Sequence, residues 1–275
     1  MMKEPTNRHV NESFPPVVAA VGGIDPSGGA GLFIDQMAIQ SAGCHFTGIC
    51  AILTIQNGAK FVQATPQPPT DIETALMLLH QSTPLTAIKT GALGDAGVID
   101  VLCEFKARHP QVFLVADPVV RSTTGGHLFS ESGELAMQQK LLRAADLITP
   151  NIPEATALLG RPIASVDDMT AAVQSMLTGG IRGVLLKGGH LESDGDVIDI
   201  LGMDSGALRQ FRSPRLNLRE VRGTGCALAS LIASQIALGE SVENGVEKAR
   251  SALLEAMANA RFPHTGPGIL QFMKF

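Results

Sequence analysis

The sequence predicts an α/β fold, a mostly parallel central sheet with helices on both faces. Three observations predict it. From Pro16 onward, short apolar runs alternate with amphipathic stretches of ten or more residues, the pattern of right-handed βαβ units. Apolar residues make up 45% of the 275 and charged ones 17%, which supplies a sizeable core and argues against global disorder. The apolar runs also end repeatedly in Gly, Asp, Asn or Lys, at the strand ends where such sheets bind ligands.

Taken in order, residues 17–21 read as a buried strand closed by Gly22-Gly23, followed by a helix over 31–42 and an extended run over 46–55. Helical spacing over 71–81 opens after Pro68-Pro69-Thr70, a helix-start signal. A strand over 86–89, a helix over 98–108 and a strand over 112–116 follow, the last ending at Asp117-Pro118. A helix near 131–142 leads to the short strand Leu147-Ile148-Thr149. Pro153 suits the first position of a helix ending near Gly160, where its missing N–H costs nothing. A helix over 167–177 feeds a strand over 183–187, and 196–211 reads as a hairpin turning at Asp204-Ser205-Gly206. The last third is helical over 224–238 and 242–260. No repeat or Pro/Gly linker interrupts the pattern, so 1–15 reads as a flexible N-terminal tail and 16–275 as a single domain.

Composition narrows the function classes. A net charge of −5 argues against a broad nucleic-acid surface, which needs a basic face, but a single buried phosphate site needs only a few oriented donors. Cys44, Cys50, Cys103 and Cys226 have no C-x-x-C spacing and no nearby His cluster, which points away from zinc and disulfides and toward a reducing compartment. The apolar run over 17–21 is too short for a signal-peptide core or a membrane span. A cytoplasmic location is the expectation, with no nucleic acid and no membrane as partner.

The chemistry-bearing residues stand at the predicted strand ends. In Arg222-Gly223-Thr224-Gly225-Cys226, two glycines let backbone N–H groups converge at a helix start, forming an anion nest suited to phosphoryl oxygens. Cys226 falls in the first turn, where the helix field lowers a thiol's pKa. The same stretch also suits a plain Gly-rich helix start with an inert cysteine. No Walker P-loop occurs, and the dinucleotide fingerprint is missing after the first strand. Gly22 to Gly31 packs five glycines into ten residues and allows close backbone approach to a ligand. Asp25 and Asp35 there could hold hydroxyl or ring-nitrogen groups, or Asp35 could be an exposed helix residue. Asp117 and Glu154 could hold Mg²⁺ through water, although Glu154 also suits a first-turn acid complementing its helix dipole. Lys187, at the end of an apolar strand, needs an anionic partner, and a phosphate would serve. His190 reads as a structural residue stiffening its loop.

Seven motifs in one order, D-P-S-G-G-A-G, Q-N, K-x-G-x-L-G, D-P-V, T-P-N-x-P-E-A, K-G-G-H and G-T-G-C, span Val17 to about Gly268. Together they resemble hydroxymethylpyrimidine/phosphomethylpyrimidine kinases, within the ribokinase-like superfamily. The resemblance implies a ribokinase-like three-layer fold and two successive phosphoryl transfers from MgATP to 4-amino-5-hydroxymethyl-2-methylpyrimidine, in thiamine biosynthesis. It implies that Gly23, Asp35, Gln56 and Val119 meet the pyrimidine, and that Asp117 and Glu154 serve the Mg²⁺-phosphate region. Asn151, Thr224 and Lys187 would serve the nucleotide phosphates, with Gly223 to Cys226 as the anion hole and Cys226 as proton acceptor. It also implies a homodimer.

Departures from the motifs fall on the acceptor side. Ala92 stands where the family carries Met, Arg222 where it carries His, and Gly58 follows Gln56-Asn57 in place of Thr. The loop after D-P-V, often Lys-bearing, reads Arg121-Ser122-Thr123-Thr124-Gly125. With no Trp or Tyr in the chain, any aromatic wall must come from Phe or His. Two other readings stay open: a pyridoxal or pyridoxine kinase of the same fold, and a non-catalytic pyrimidine-binding relative.

Overall fold

The computed structural model describes residues 14–57, 60–119, 126, 128–191 and 195–272. Most of the tail at 1–15, Gly58 and the loop residues 121–125 lie outside them.

The chain begins its sheet with β1 (Val17–Ile24), a strand with Val17 to Val21 buried throughout because both of its faces are covered. Its side chains alternate between two cores. Val17, Ala19 and Val21 point into one, Val18 and Ala20 into the other. After α1 (Gly31–Ser41) come β2 (His45–Gln56), β3 (Phe61–Pro66), α2 (Pro69–Ser82), β4 (Ala87–Thr90), α3 (Ala96–Arg108) and β5 (Phe113–Ala116). Then α4 (Glu131–Ala136), a π-helical stretch Met137–Leu141, α5 (Leu142–Ala144), β6 (Leu147–Ile148), α6 (Ile152–Leu159), α7 (Val166–Thr178) and β7 (Gly183–Leu186) complete the parallel part. The hairpin β8 (Val197–Met203) and β9 (Leu208–Ser213), the short β10 (Val221–Arg222), α8 (Thr224–Ala237), α9 (Val242–Ala258) and β11 (Gly268–Ile269) follow.

The nine-stranded sheet runs β3-β2-β1-β4-β5-β6-β7-β8-β9, with β10 and β11 forming a separate parallel pair. Strands β1, β2 and β4 to β7 are parallel, and β3, β8 and β9 are antiparallel additions at the two edges. One core takes Ile72 and Leu76 of α2, Val98 and Leu102 of α3, and Met169 and Val173 of α7. The other takes Ile34 and Ile39 of α1, Leu231 of α8 and Val246 of α9. Each fully buried Val, Ile or Leu contributes about 1.5–3 kcal/mol, so the two apolar faces of this sheet fix which helices lie where. The expected α/β class and three-layer arrangement are present.

Several boundaries differ for physical reasons. Gly22-Gly23 does not close the first strand, because the ladder to β2 continues through a register shift there as far as Ile24. Pro153 is the second helical residue: Asn151 caps α6 and Ile152 opens it, and a proline N–H is equally unneeded one position later. The helix near 131–142 runs on to Ala144 and contains the π-helical stretch, and the last helix ends at Ala258. The antiparallel strand β3 falls in a stretch to which the sequence pattern assigns no element.

The chain leaves β1 to reach β2 on one side and β4 on the other. That reversal opens a crevice at the carboxyl ends of β1 and β4, where doubly wound sheets bind ligands.

Candidate active site

A cleft of about 470 Å³ opens at this reversal, large enough for a small-molecule site. The twelve residues to which the resemblance gives a role all line it, as do Asp25 and His190. Gly23 and Gln56 come from β1 and β2, Asp35 from α1, and Asp117 and Val119 from the segment after β5, while Asn151, Glu154, Lys187 and Gly223 to Cys226 complete the lining.

Gly223 caps α8 in the left-handed region, at φ +75°, and a Cβ there would stand 2.5 Å from the Gly29 carbonyl oxygen. The two Gly-rich loops thus interlock, and part of their glycine content serves that close approach. Gly225 plays another role. A Cβ on it would meet Lys187 Nζ at 3.3 Å and Asp117 Oδ2 at 3.6 Å, so its bare backbone faces a cation and a carboxylate across the first turn of the helix. Lys187 Nζ donates to Asp117 Oδ1 at 2.9 Å, and Thr149 Oγ1 donates to the same oxygen at 2.9 Å. Asp117 Oδ2 is buried and has no hydrogen-bond partner. Burial works against the charge on Lys187, but the Asp117 and Glu154 carboxylates outweigh it and hold the amine above its ordinary pKa.

Glu154 is the first-turn acid of its helix. Its N–H donates to Asn151 Oδ1 and its Oε2 accepts from Asn151 N, each at 2.8 Å, a capping box that starts α6. Its carboxyl also lines the cleft, where burial pushes its pKa up to about 7, with Lys187 pulling down and Asp117 pushing up. An unpartnered Asp117 oxygen near a second carboxylate suits a hard cation such as Mg²⁺. Among the described residues no cluster of three or more His, Cys, Asp or Glu could hold a metal. Such an ion would complete its shell with water and phosphate oxygens.

Cys226 is a correction. Burial raises its thiol above the ordinary range; Lys89 opposes that shift, while Asp35 and Asp117 add to it. The helix start therefore does not deliver a low-pKa thiolate in the free protein.

Asp35 is wholly buried, which removes the reading of it as an exposed helix residue. Its carboxylate accepts from Lys89 Nζ at 2.8 and 3.0 Å and from Ser230 Oγ at 2.8 Å. Burial raises the Asp35 pKa against the pull of Lys89. Gln56 Oε1 is buried without a hydrogen-bond partner and offers an acceptor to a ligand's N–H or O–H. Ala92 lines the cleft, its Cβ 3.8 Å from the Cβ position of Gly23. Arg222 is buried, with Nη2 3.4 Å from Asp25 Oδ2 and Nη1 donating to Asn57 O at 3.3 Å. His190, read as structural, is exposed on the cleft wall; no Phe among the described residues joins it there.

Lys89 went unassigned by sequence reasoning, yet the logic applied to Lys187 reaches it, because a lysine between apolar strand residues demands a buried carboxylate. Asp199, Leu253 and Met257 also line the cleft, and no motif marks them.

A doubly wound sheet with a Gly-rich helix start and a polar cleft at its strand ends is the arrangement of a ribokinase-like small-molecule kinase. A family model described as phosphomethylpyrimidine kinase matches residues 25–271. The hydroxymethylpyrimidine/phosphomethylpyrimidine kinase of Aquifex aeolicus is 31% identical over 93% of this chain and 100% of its own length. That of Haemophilus influenzae is 33% identical over 88% of this chain and 91% of its own. The crystal structure of phosphomethylpyrimidine kinase from Clostridium difficile 630 superposes with a TM-score of 0.76 at 28% identity, covering 88% of this chain and 99% of that one. Staphylococcus aureus pyridoxal kinase in complex with pyridoxal superposes at 0.84 with 24% identity over 94% of each chain, a likeness of fold. The chain belongs to the phosphomethylpyrimidine kinase family.

Proposed function

We propose that this kinase transfers the γ-phosphoryl group of ATP to the hydroxymethyl group of 4-amino-5-hydroxymethyl-2-methylpyrimidine, and then phosphorylates the monophosphate to the pyrophosphate, in thiamine biosynthesis. The observation that carries it is the Gly225 backbone facing Lys187 and the unpartnered Asp117 oxygen, in one cleft with the open Gln56 acceptor.

Phosphoryl transfer runs through a loose transition state, so positioning and charge stabilisation outweigh base strength. Lys187 and the N–H groups of Gly223 to Cys226 hold the moving phosphoryl oxygens, assisted by Asn151 and Thr224. Gly23, Asp35, Gln56 and Val119 form the pyrimidine side, with Asp35 acting through its pair with Lys89. Mg²⁺ held near Asp117 and Glu154 would neutralise phosphate charge. The thiolate fraction of Cys226 accepts the hydroxymethyl proton late, as the acceptor oxygen bonds to phosphorus and becomes acidic. The enzyme works in the cytoplasm as a homodimer on two small molecules, the pyrimidine and ATP.

The test is product analysis by mass spectrometry with MgATP and, in parallel, the pyrimidine alcohol, its monophosphate, pyridoxal and pyridoxine. Two ADP per pyrimidine, appearing as monophosphate and then pyrophosphate, is the expected result. Turnover confined to the vitamin B6 alcohols would replace this reading with a pyridoxal kinase. Tight pyrimidine binding without ADP release would replace it with a binding protein.

A further inference from the structure

The turn carrying Lys187 is held by charged residues outside the anion nest, of which Asp199 also borders the cleft. Lys187 N donates to Pro150 O at 2.9 Å, and the next residue, Gly188, donates its N–H to Asp199 Oδ1 at 2.8 Å. A side chain at Gly188 would run into the Ile198 carbonyl, so the turn is pressed against β8. Asp199 Oδ2 accepts from Arg250 Nε at 2.7 Å, and Arg250 Nη2 donates to Phe211 O at 3.3 Å and Ser213 Oγ at 3.2 Å. The two charged side chains are only 8% and 10% exposed, so each leaves the other stranded if removed. Arg215 closes the turn by donating to Gly189 O and Leu191 O at 3.0 and 2.9 Å.

Arg250 belongs to α9, and Leu253 and Met257, three and seven residues on, share its helix face and line the cleft. In the strand order, β7 and β8 lie across the transfer centre from β1 and β2, which carry the acceptor pocket. The wall formed by Gly189, His190, Leu253 and Met257 therefore stands on the phosphate-donor side.

We propose that Asp199 and Arg250 are positioning residues for phosphoryl transfer, fixing Lys187, through Gly188, in register with the α9 wall that receives the donor nucleotide. The pair makes the phosphate-binding cation and the donor wall one rigid body. A displacement of about 1 Å at Lys187 is enough to lower turnover substantially, because catalysis here depends on placement. The inference rests on the kinase reading above.

Its test compares wild type with Asp199→Ala, Asp199→Asn and the double variant Asp199→Asn/Arg250→Gln. The measurements are kcat, KM for ATP, KM for the pyrimidine alcohol, ADP affinity by calorimetry, and melting temperature. Asp199→Ala is expected to lower kcat by about tenfold or more and to raise KM for ATP, with KM for the alcohol within about twofold of wild type. Asp199→Asn should do likewise, since its amide N–H₂ is turned on Arg250. The double variant rebuilds an uncharged acceptor for Gly188 and should recover most of kcat even where its melting temperature stays low. Folded Asp199→Ala with unaltered kcat and KM for ATP overturns the proposal, as does a double variant no better than Asp199→Asn. If Asp199→Ala does not fold, the two Asn variants decide. If wild type phosphorylates none of the alcohols, the functional reading fails by itself. ADP affinity then decides the positioning role: weakened about tenfold by the single variants and recovered in the double one, or not.

Discussion

At the residue scale, two titratable groups of the cleft, Cys226 and Glu154, make opposite demands on pH. The Cys226 thiol is held above its ordinary range by burial, so in the free enzyme near neutral pH it carries its proton. If it accepts the substrate proton, kcat/KM for the pyrimidine alcohol climbs with pH into the alkaline range, as the thiolate fraction grows. Cys226→Ser should lower turnover by about 10²-fold and abolish the climb, a result read directly from pH–rate profiles. A serine variant retaining the wild-type profile would leave the anion hole standing without a base. Glu154 acts on stability. Its carboxyl titrates near 4.5 when unfolded and near 7 when native. Between those values the native state binds more protons than the unfolded chain, so stability falls as pH rises and the loss is complete above about 7. The loss amounts to about 3 kcal/mol at most. Glu154→Gln keeps the capping-box geometry without the titration. Urea unfolding at pH 5 and pH 8 should therefore show wild type losing more stability than the variant over that interval. Equal losses would mean that the carboxylate is not strained in the native cleft.

At the element scale, the start of α8 separates glycine used for backbone geometry from glycine used for chemistry. Gly223→Ala forces a left-handed φ onto alanine and drives its Cβ against Gly29 O, and should cost about 2 kcal/mol or more of stability. Gly225→Ala has no such strain, and alanine is a better helix former by about 1 kcal/mol, but its methyl occupies the space before Lys187 Nζ. It should leave the melting temperature near or above wild type while lowering kcat by about 10²-fold. Matched losses of stability in the two variants would contradict this division of labour. Sequence periodicity located most elements because β1 and β5 to β7 are apolar runs buried on both faces. It lost β3, whose Gln63, Thr65 and Pro66 present a solvated edge without apolar alternation. It ended β1 early because glycine usually closes a strand, and here two glycines continue one past the floor of the cleft.

At the scale of the whole molecule, the site was legible to the extent that its residues lie at strand ends. Topology gathers those ends, and a parallel sheet gathers them on one side. Pairings between distant segments were not legible. Asp35 and Lys89 stand 54 residues apart, Asp117 and Lys187 stand 70 apart, and Asp199 meets Arg250 only because α9 packs back over β8 and β9. Each of these needs the sheet order before either partner can be named. The sheet order also leaves one edge to explain. Leu53 and Ile55 of β2 share a solvent-facing side and are 46% and 57% exposed, with Val62 of β3 beside them at 59%. β3 forms the edge of the sheet, so this apolar face of the penultimate strand is suited to side-chain docking, and a second copy of the chain is the occupant consistent with the proposed homodimer. Gln56 ends the same strand, so covering this face would also brace the acceptor pocket. Analytical ultracentrifugation should give about twice the 28.8 kDa chain mass for wild type and the single-chain mass for Leu53→Lys/Ile55→Lys. The monomeric variant should show a KM for the pyrimidine alcohol raised by several-fold or about tenfold, with KM for ATP little changed. A dimer that persists through both substitutions would place the subunit contact elsewhere. A monomer with unaltered KM for the alcohol would separate assembly from the acceptor pocket.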